Sequence, residues 1–478
     1  MLTLDSSNPT PLVLQIVDGI KGLIASGKLR PGTKLPSIRQ FADLQKISTS
    51  TVVDAYDRLA AEGLLIPRQS SGFYVRATTR GLFREEEQSL RNTRFDPLWF
   101  VRRVWESRSA QVTPGYGWVP DSWLDGEAIR RSLRTLSNRQ SLHKHGYGHP
   151  RGLPALRMKM CDWLAEQEIA AAPDQILLTT GASHALDLIS KYLLRPGDTV
   201  LVDEPGYSVM IANLRAGGAR PIGVPWTPQG PDLARLESLA MEFKPRAFFT
   251  NPRLQNPTGA SYSPGTVYRV LQLADRHDFI VVEDDVCAAL DTQPRRSLAC
   301  LDQLNRVIYV TSFSKSISPK LRVGFIAAHP DAIEDITQIK MMTGLTSSEL
   351  TEHVTLSILN EGRYRKQIKS LRERLSIAQE QTCQRLEQAG LELFCEPKAG
   401  LFVWARHPDF DDSATLCADA IEANILLAPG HLFMVDGDRS PWMRFNVAFS
   451  DNPPLFTFLQ PRHPETTRDT RIKPMEDS

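Results

Sequence analysis

No stretch of this 478-residue chain approaches the ~20 consecutive apolar residues that a membrane-spanning helix needs. Apolar runs such as Ile176-Leu177-Leu178 and Phe279 to Val282 have the length of strands. Met1 is followed by Leu2-Thr3-Leu4-Asp5, without the basic start and apolar stretch of a secretory signal, so a cytoplasmic protein is expected. Cysteine is scarce as well. The six are scattered, with no Cys-x-x-Cys pair, which argues against a disulfide framework and against zinc. An excess of one charge is also missing: Lys plus Arg number 56 and Asp plus Glu 55. The chain is therefore not basic throughout, although a local basic surface fits inside that total. No repeat with a period of about 20–50 residues occurs, which excludes solenoids and propellers. What is present is a hydrophobic share of 41%, ample for a core, and a length expected to form two to four domains.

The pattern changes near residue 77. Residues 78–94 are polar and charged, with Glu85-Glu86-Glu87 beside several arginines, and read as a linker between domains at 1–77 and 95–455. From Phe95 onward, strand-like and helix-like segments alternate, the signature of an α/β fold. Residues 456–478 are expected to form a tail, charged from Pro461 onward.

In the first domain, Leu12, Ile16, Ile20 and Leu23-Ile24 recur at helical spacing. Ser37 with Gln40 three residues on is a capping box for a second helix. Ser48 caps a third, whose inner face is Val52, Tyr56 and Leu59, and Gly63 stands at its end. Leu64-Leu65-Ile66 and Phe73-Tyr74-Val75 then flank a polar, glycine-bearing turn. Three helices and a two-stranded wing describe a winged helix-turn-helix, with Thr49, Ser50 and Thr51 entering the major groove of double-stranded DNA at the third helix's first turn. The net charge of residues 1–76 is +3, a sign that suits a polyanion. The alternative is a helical protein-protein module.

In the large domain, five apolar runs each end in a polar cluster. These are Thr180-Gly181-Ala182-Ser183, Asp203 to Tyr207, Asn251 to Gly259, Glu283-Asp284-Asp285 and Ser312-Phe313-Ser314-Lys315. Ligands of open α/β sheets bind beyond the carboxyl ends of strands, so all five clusters can face one crevice. Singly, each has an ordinary reading as a turn, a cap or a solvated lysine. Together they suit pyridoxal 5'-phosphate. Lys315 supplies the amine that condenses with its aldehyde. Asp284 keeps the ring nitrogen protonated. Backbone N–H groups around Ala182 and Ser183 receive the phosphate, helped by the hydroxyl of Ser312 and the guanidinium of Arg322. Tyr207 offers a ring face. His143, His145 and His149 lack companion ligands, so no metal is expected.

Leu35-Pro36-Ser37-Ile38-Arg39, Ser48-Thr49-Ser50-Thr51-Val52, Ala55-Tyr56-Asp57-Arg58-Leu59, Glu62-Gly63-Leu64 and Ser71-Gly72-Phe73-Tyr74-Val75 together resemble the GntR-type DNA-binding domain. The family often has Arg where Thr49 stands, and the resemblance then places phosphate anchoring on Arg39 and Arg68. Residues 112–452 are similar to fold-type-I aminotransferases: a mostly parallel large domain with a smaller α+β subdomain. That resemblance implies that Tyr147, in Tyr147-Gly148-His149-Pro150-Arg151-Gly152, reaches the phosphate in the partner subunit of a homodimer. It further implies that Asn256 bonds the cofactor's ring oxygen and that Arg444 grips a substrate carboxylate. A departure stands at Cys287, where the family usually has a tyrosine. The combination of the two domains resembles the MocR family of transcriptional regulators. This implies a regulator that binds operator DNA, holds pyridoxal phosphate and answers to it or to a small amino compound. Two other readings remain: a working aminotransferase with an appended DNA-binding domain, and a scaffold that has lost its cofactor.

Overall fold

The computed structural model describes residues 10–25, 28–30, 32–68, 72–75, 112–137, 146–293 and 295–460, with the single positions 4, 100 and 102. The chain divides into two compact units, Met1–Arg94 and Phe95–Ser478. The expected linker at 78–94 lies outside the described residues, as do the turn residue Ser71 and the chain beyond Gln460. Among the described residues no helix is long and apolar enough to cross a membrane.

The first unit has three helices, α1 (Leu12–Ala25), α2 (Ile38–Gln45) and α3 (Thr49–Ala61), followed by β1 (Leu65–Arg68) and β2 (Gly72–Val75). The capping box at Ser37 is formed in both directions, at 3.3 Å from the Gln40 backbone N–H and 3.1 Å back from Ser37 N–H to Gln40 Oε1. Ser48 Oγ likewise accepts from the Thr51 N–H at 3.2 Å and starts α3. Ile16, Ile20, Val52, Tyr56 and Leu59 meet in one core. Each is worth roughly 1.5–3 kcal/mol of burial. The Tyr56 ring takes Phe41 and Phe73 edge-on, and its hydroxyl donates to the Pro36 carbonyl at 3.2 Å. That contact fixes the wing and the entry to α2 against the recognition helix.

The second unit is built on an eight-stranded sheet in the order β3-β10-β9-β8-β7-β4-β5-β6. Its strands are β3 (Ile176–Thr179), β4 (Thr199–Glu204), β5 (Arg220–Thr227), β6 (Gly230–Pro231), β7 (Ala247–Thr250), β8 (Ile280–Asp284), β9 (Val307–Ser312) and β10 (Gly324–Ala327). Strands β5, β4, β7, β8 and β9 run parallel. Strand β10 is antiparallel to both β9 and β3, so β3 points the same way as β9. The carboxyl ends of β3, β4, β7, β8 and β9 therefore share one edge, which is what brings the five polar clusters together. Strands β3 and β7 are buried on both faces, as a layer covered by helices on each side requires.

A second sheet, β11-β12-β14-β13, is antiparallel throughout: β11 (Glu392–Leu393), β12 (Phe402–Arg406), β13 (Ala428–Pro429) and β14 (Trp442–Asn446). The 26-residue helix Arg363–Gln388 packs Leu371, Leu375 and Leu386 into the core beneath it. Strand β8 runs through Glu283 and Asp284, so these acids lie at a strand end as read from sequence. One expectation is corrected. The tail does not start at 456: helix Pro453–Leu459 crosses that boundary, because Leu455 and Leu459, one turn apart, are both fully buried.

Candidate functional site

Three consecutive acids close this edge, Glu283 and Asp284 as the last residues of β8 and Asp285 just beyond it, and the alternation of the extended chain divides their roles. Glu283 accepts from the backbone N–H groups of Leu298 and Ala299 at 3.1 and 2.8 Å, holding the start of a helix. Asp285 accepts from the Tyr309 hydroxyl at 2.9 Å and pairs with Arg253 at 3.3 Å. Asp284, between them, is also buried. Like Asp285 Oδ1, its Oδ1 has no hydrogen-bond partner, but unlike Asp285 it has, among the described residues, neither an arginine nor a tyrosine on its other oxygen. Burial, and then the neighbouring Asp285, pushes its carboxyl up to about 7. A buried carboxylate with a free oxygen is set to receive a cationic N–H.

Lys315 follows β9 and is half-buried. Its Nζ donates to the Gly117 carbonyl oxygen. Burial lowers its pKa, and the charges of Arg444, Asp284 and Arg322 all act on it. A lysine so placed is more readily a neutral nucleophile than a solvated one. Cys287 is buried beside the same group, and burial raises its thiol to about 12.

Beyond β3, Gly181 adopts φ +81 and opens helix Ala182–Leu193 with no side chain capping its N–H groups. A side chain here would meet the Arg322 guanidinium at 2.7 Å, so glycine lets the arginine close over the turn. Arg322 Nη2 donates to the Thr180 carbonyl at 3.1 Å. Tyr207 lies beside Ser183, and Ser312 ends β9 opposite Gly324. Free N–H groups, hydroxyls and a guanidinium at a helix start form an anion cradle.

A polar chain links this floor to Arg444. Asn251 Nδ2 donates to the Asp284 carbonyl at 2.6 Å, Asn256 N–H donates to Asn251 Oδ1 at 2.8 Å, and Arg444 Nη1 donates to Asn256 Oδ1 at 2.8 Å. Arg444 Nη2 donates to the Gly115 carbonyl at 2.7 Å. The guanidinium lies between the rings of Phe402 and Phe433, at 4.7 and 5.0 Å from their centroids. Its Nε is buried without a partner, and burial lowers its pKa to about 9. That is a cation held ready for a carboxylate.

The structure thus brings Lys315, Asp284, Ser183, Tyr207, Arg322, Asn256 and Arg444 within reach of one another, with Ala182 starting the helix after β3 and Ser312 ending β9 at the same edge of the sheet. Tyr147 is set apart, with its side chain 82% exposed. Gly115, Gly117, Phe402 and Phe433 were not expected from sequence. They act through carbonyls and rings brought close only by folding, and no local motif announces them. On the first unit, Ser48, Thr49 and Ser50 are exposed at the start of α3 with Thr51 half-buried, Arg39 is exposed in the first turn of α2, and Arg68 ends β1. Ser71 lies outside the described residues. Among the described residues no group of three or more His, Cys, Asp or Glu is placed to hold a metal.

Fold and site define a DNA-binding unit joined to an aminotransferase-like unit. Residues 126–454 match the family "Aminotransferase class I and II" and residues 12–75 match "Bacterial regulatory proteins, gntR family". The chain belongs to the class I and II aminotransferase family, in the GntR/MocR-type branch of transcriptional regulators fused to it. It is 26% identical to the HTH-type transcriptional regulator YisV of Bacillus subtilis, over 94% of this chain and 95% of that one. It is 28% identical to the probable rhizopine catabolism regulatory protein MocR of Rhizobium meliloti, over 78% and 76%. Its large unit is similar to the crystal structure of the α-aminoadipate aminotransferase LysN of Thermus thermophilus, complexed with N-(5'-phosphopyridoxyl)-L-leucine. The TM-score is 0.68 at 27% identity, covering 76% of this chain and 92% of that one.

Proposed function

We propose that this regulator holds pyridoxal 5'-phosphate in its large unit and adjusts its grip on operator DNA to that cofactor, to a small amino compound, or to both. The observation that carries the reading is the buried, unpartnered Oδ1 of Asp284 in the crevice that also holds Lys315. When bound, the cofactor supplies an aldehyde conjugated to a protonatable ring nitrogen, an electron sink. Asp284 holds the proton on that nitrogen. The Ala182-Ser183 turn, Ser312 and Arg322 hold the phosphate, Tyr207 covers the ring, and Asn256 meets the ring oxygen. Arg444 takes the effector's carboxylate. The protein acts as a cytoplasmic homodimer, with Tyr147 reaching the partner's phosphate site, a role its exposure supports. Arg39, Arg68, Ser71 and the Ser48–Thr51 turn hold the DNA.

A second reading, a working aminotransferase, draws support from the Arg444–Asn256 pair, which is as ready for a substrate as for an effector. Turnover with a keto acid at about 1–10³ per second would mark that class. The buried thiol of Cys287, protonated where a phenol is usual, weighs toward sensing.

The test is borohydride reduction of the protein with pyridoxal phosphate, followed by peptide mapping. The label is expected on Lys315 and nowhere in Lys315→Ala. An unmodified Lys315 overturns the cofactor reading.

A further inference from the structure

Segment 112–119 lies across the site, and five consecutive carbonyls in it are all engaged. Pro114 accepts from the Asn446 backbone N–H at 2.7 Å, and Tyr116 and Trp118 accept from Asn446 Nδ2 at 2.9 and 2.8 Å. The two carbonyls between them are held by the two cations of the site: Gly115 by Arg444 at 2.7 Å, and Gly117 by Lys315. The start of the segment is tied to the second sheet's neighbourhood. Val112 bridges Ile425, and Gly115 N–H donates to the Leu426 carbonyl at 2.9 Å. A side chain at Gly115 would lie 2.8 Å from that same oxygen, so this close approach requires glycine. Tyr116 packs on Trp118 at 4.4 Å and on Phe449 at 5.3 Å.

Neither cation keeps its carbonyl when the site fills. Condensation of Lys315 with the aldehyde of pyridoxal phosphate forms a C=N bond and breaks the C=O bond. Lys315 first gives one proton to solvent, and the oxygen then leaves as water with the two hydrogens of the neutral amine. The nitrogen, now double-bonded to the cofactor's carbon, no longer offers Gly117 the freely turning donors of an ammonium. A carboxylate on Arg444 competes directly with the Gly115 carbonyl. Along the chain, the segment continues back through residues 95–111 toward the DNA-binding unit.

We propose that segment 112–119 is the output element of the sensor: filling the site withdraws Lys315 from Gly117 and Arg444 from Gly115, and the released segment carries that change along the chain toward the DNA-binding unit. The proposal rests on the cofactor reading above, and its test separates the two. It measures the visible absorption band and the affinity for DNA upstream of the protein's own gene, with and without pyridoxal phosphate. The full wild-type chain is compared with Asn446→Asp, which loses the Nδ2 donor but keeps the acceptor that bonds the Ala448 N–H.

Wild type is expected to change DNA affinity about fivefold or more on addition of the cofactor, the usual range of site-to-site coupling. Asn446→Asp is expected to keep the visible band and lose that response. A variant with the full band and a wild-type response overturns the output role. Absence of the band in wild type overturns the cofactor reading itself, and the output role with it. Should Asn446→Asp not fold, hydrogen exchange on the wild-type chain decides. The amides of Gly115 and Tyr116 must exchange faster once the band has formed, and unchanged exchange overturns the proposal.

Discussion

A buried acid with an idle oxygen is costly unless something occupies it, and Asp284 shows how that cost reads out with pH. Its carboxyl, at about 7 in the folded chain against 3.8 in the open, holds a proton over a range where the unfolded chain has released it. The folded form therefore binds more protons, and the contribution is fully present below pH 4 and lost as pH rises through 7. In the ligand-free protein, Asp284→Asn is expected to be more stable than wild type at pH 8, by up to about 4 kcal/mol, with the difference vanishing near pH 4. Urea unfolding at the two pH values checks this. With pyridoxal phosphate the sign reverses. The variant loses a charged hydrogen bond worth about 1.5–3 kcal/mol, so its affinity is expected to fall tenfold or more. Asp284 was legible in sequence as one of an Asp pair at a strand end. What sequence could not show is why Asp285 is not the one: its Oδ2 is taken by Arg253 and Tyr309, residues distant in sequence.

Elements were readable where their signals are local. Ser37 with Gln40 and Ser48 before α3 declare helix starts by side chains three residues from their targets, and both caps are formed. The helix Pro453–Leu459 was not readable in the same way. Asn452-Pro453-Pro454 looks like a stop, yet proline in a helix's first turn loses no hydrogen bond and fits its φ. What makes the segment an element is its core contact through Leu455 and Leu459 with the layer that holds Leu401, Val403 and Phe445. A chain ending at Gln460 keeps that contact. One ending at Asn452 loses two buried leucines, each worth about 2–5 kcal/mol in a core, and is expected to melt several degrees lower. Thermal unfolding of the two truncations, followed by circular dichroism, distinguishes a helix that belongs to the body from a frayed tail.

At the scale of the molecule, two cores serve two tasks. The cluster around Ile16, Val52, Tyr56 and Leu59 contains only residues before 76, and the clusters that carry the site contain none of them. Damage to one core should then leave the chemistry of the other intact. Leu59→Ala, at a fully buried position on the inner face of α3, is expected to cost about 2–5 kcal/mol and to abolish or sharply weaken DNA binding near physiological temperature. The same protein is expected to form the visible band with pyridoxal phosphate at the wild-type concentration dependence. Calorimetry supplies the converse. Pyridoxal phosphate at 100 times its dissociation constant adds about 2.7 kcal/mol to the unit that binds it. It should raise the transition of the large unit in wild type and in Leu59→Ala alike. If Leu59→Ala instead lost the band together with DNA binding, the two cores would be one cooperative structure. A signal from the site would then have no need of the segment between them.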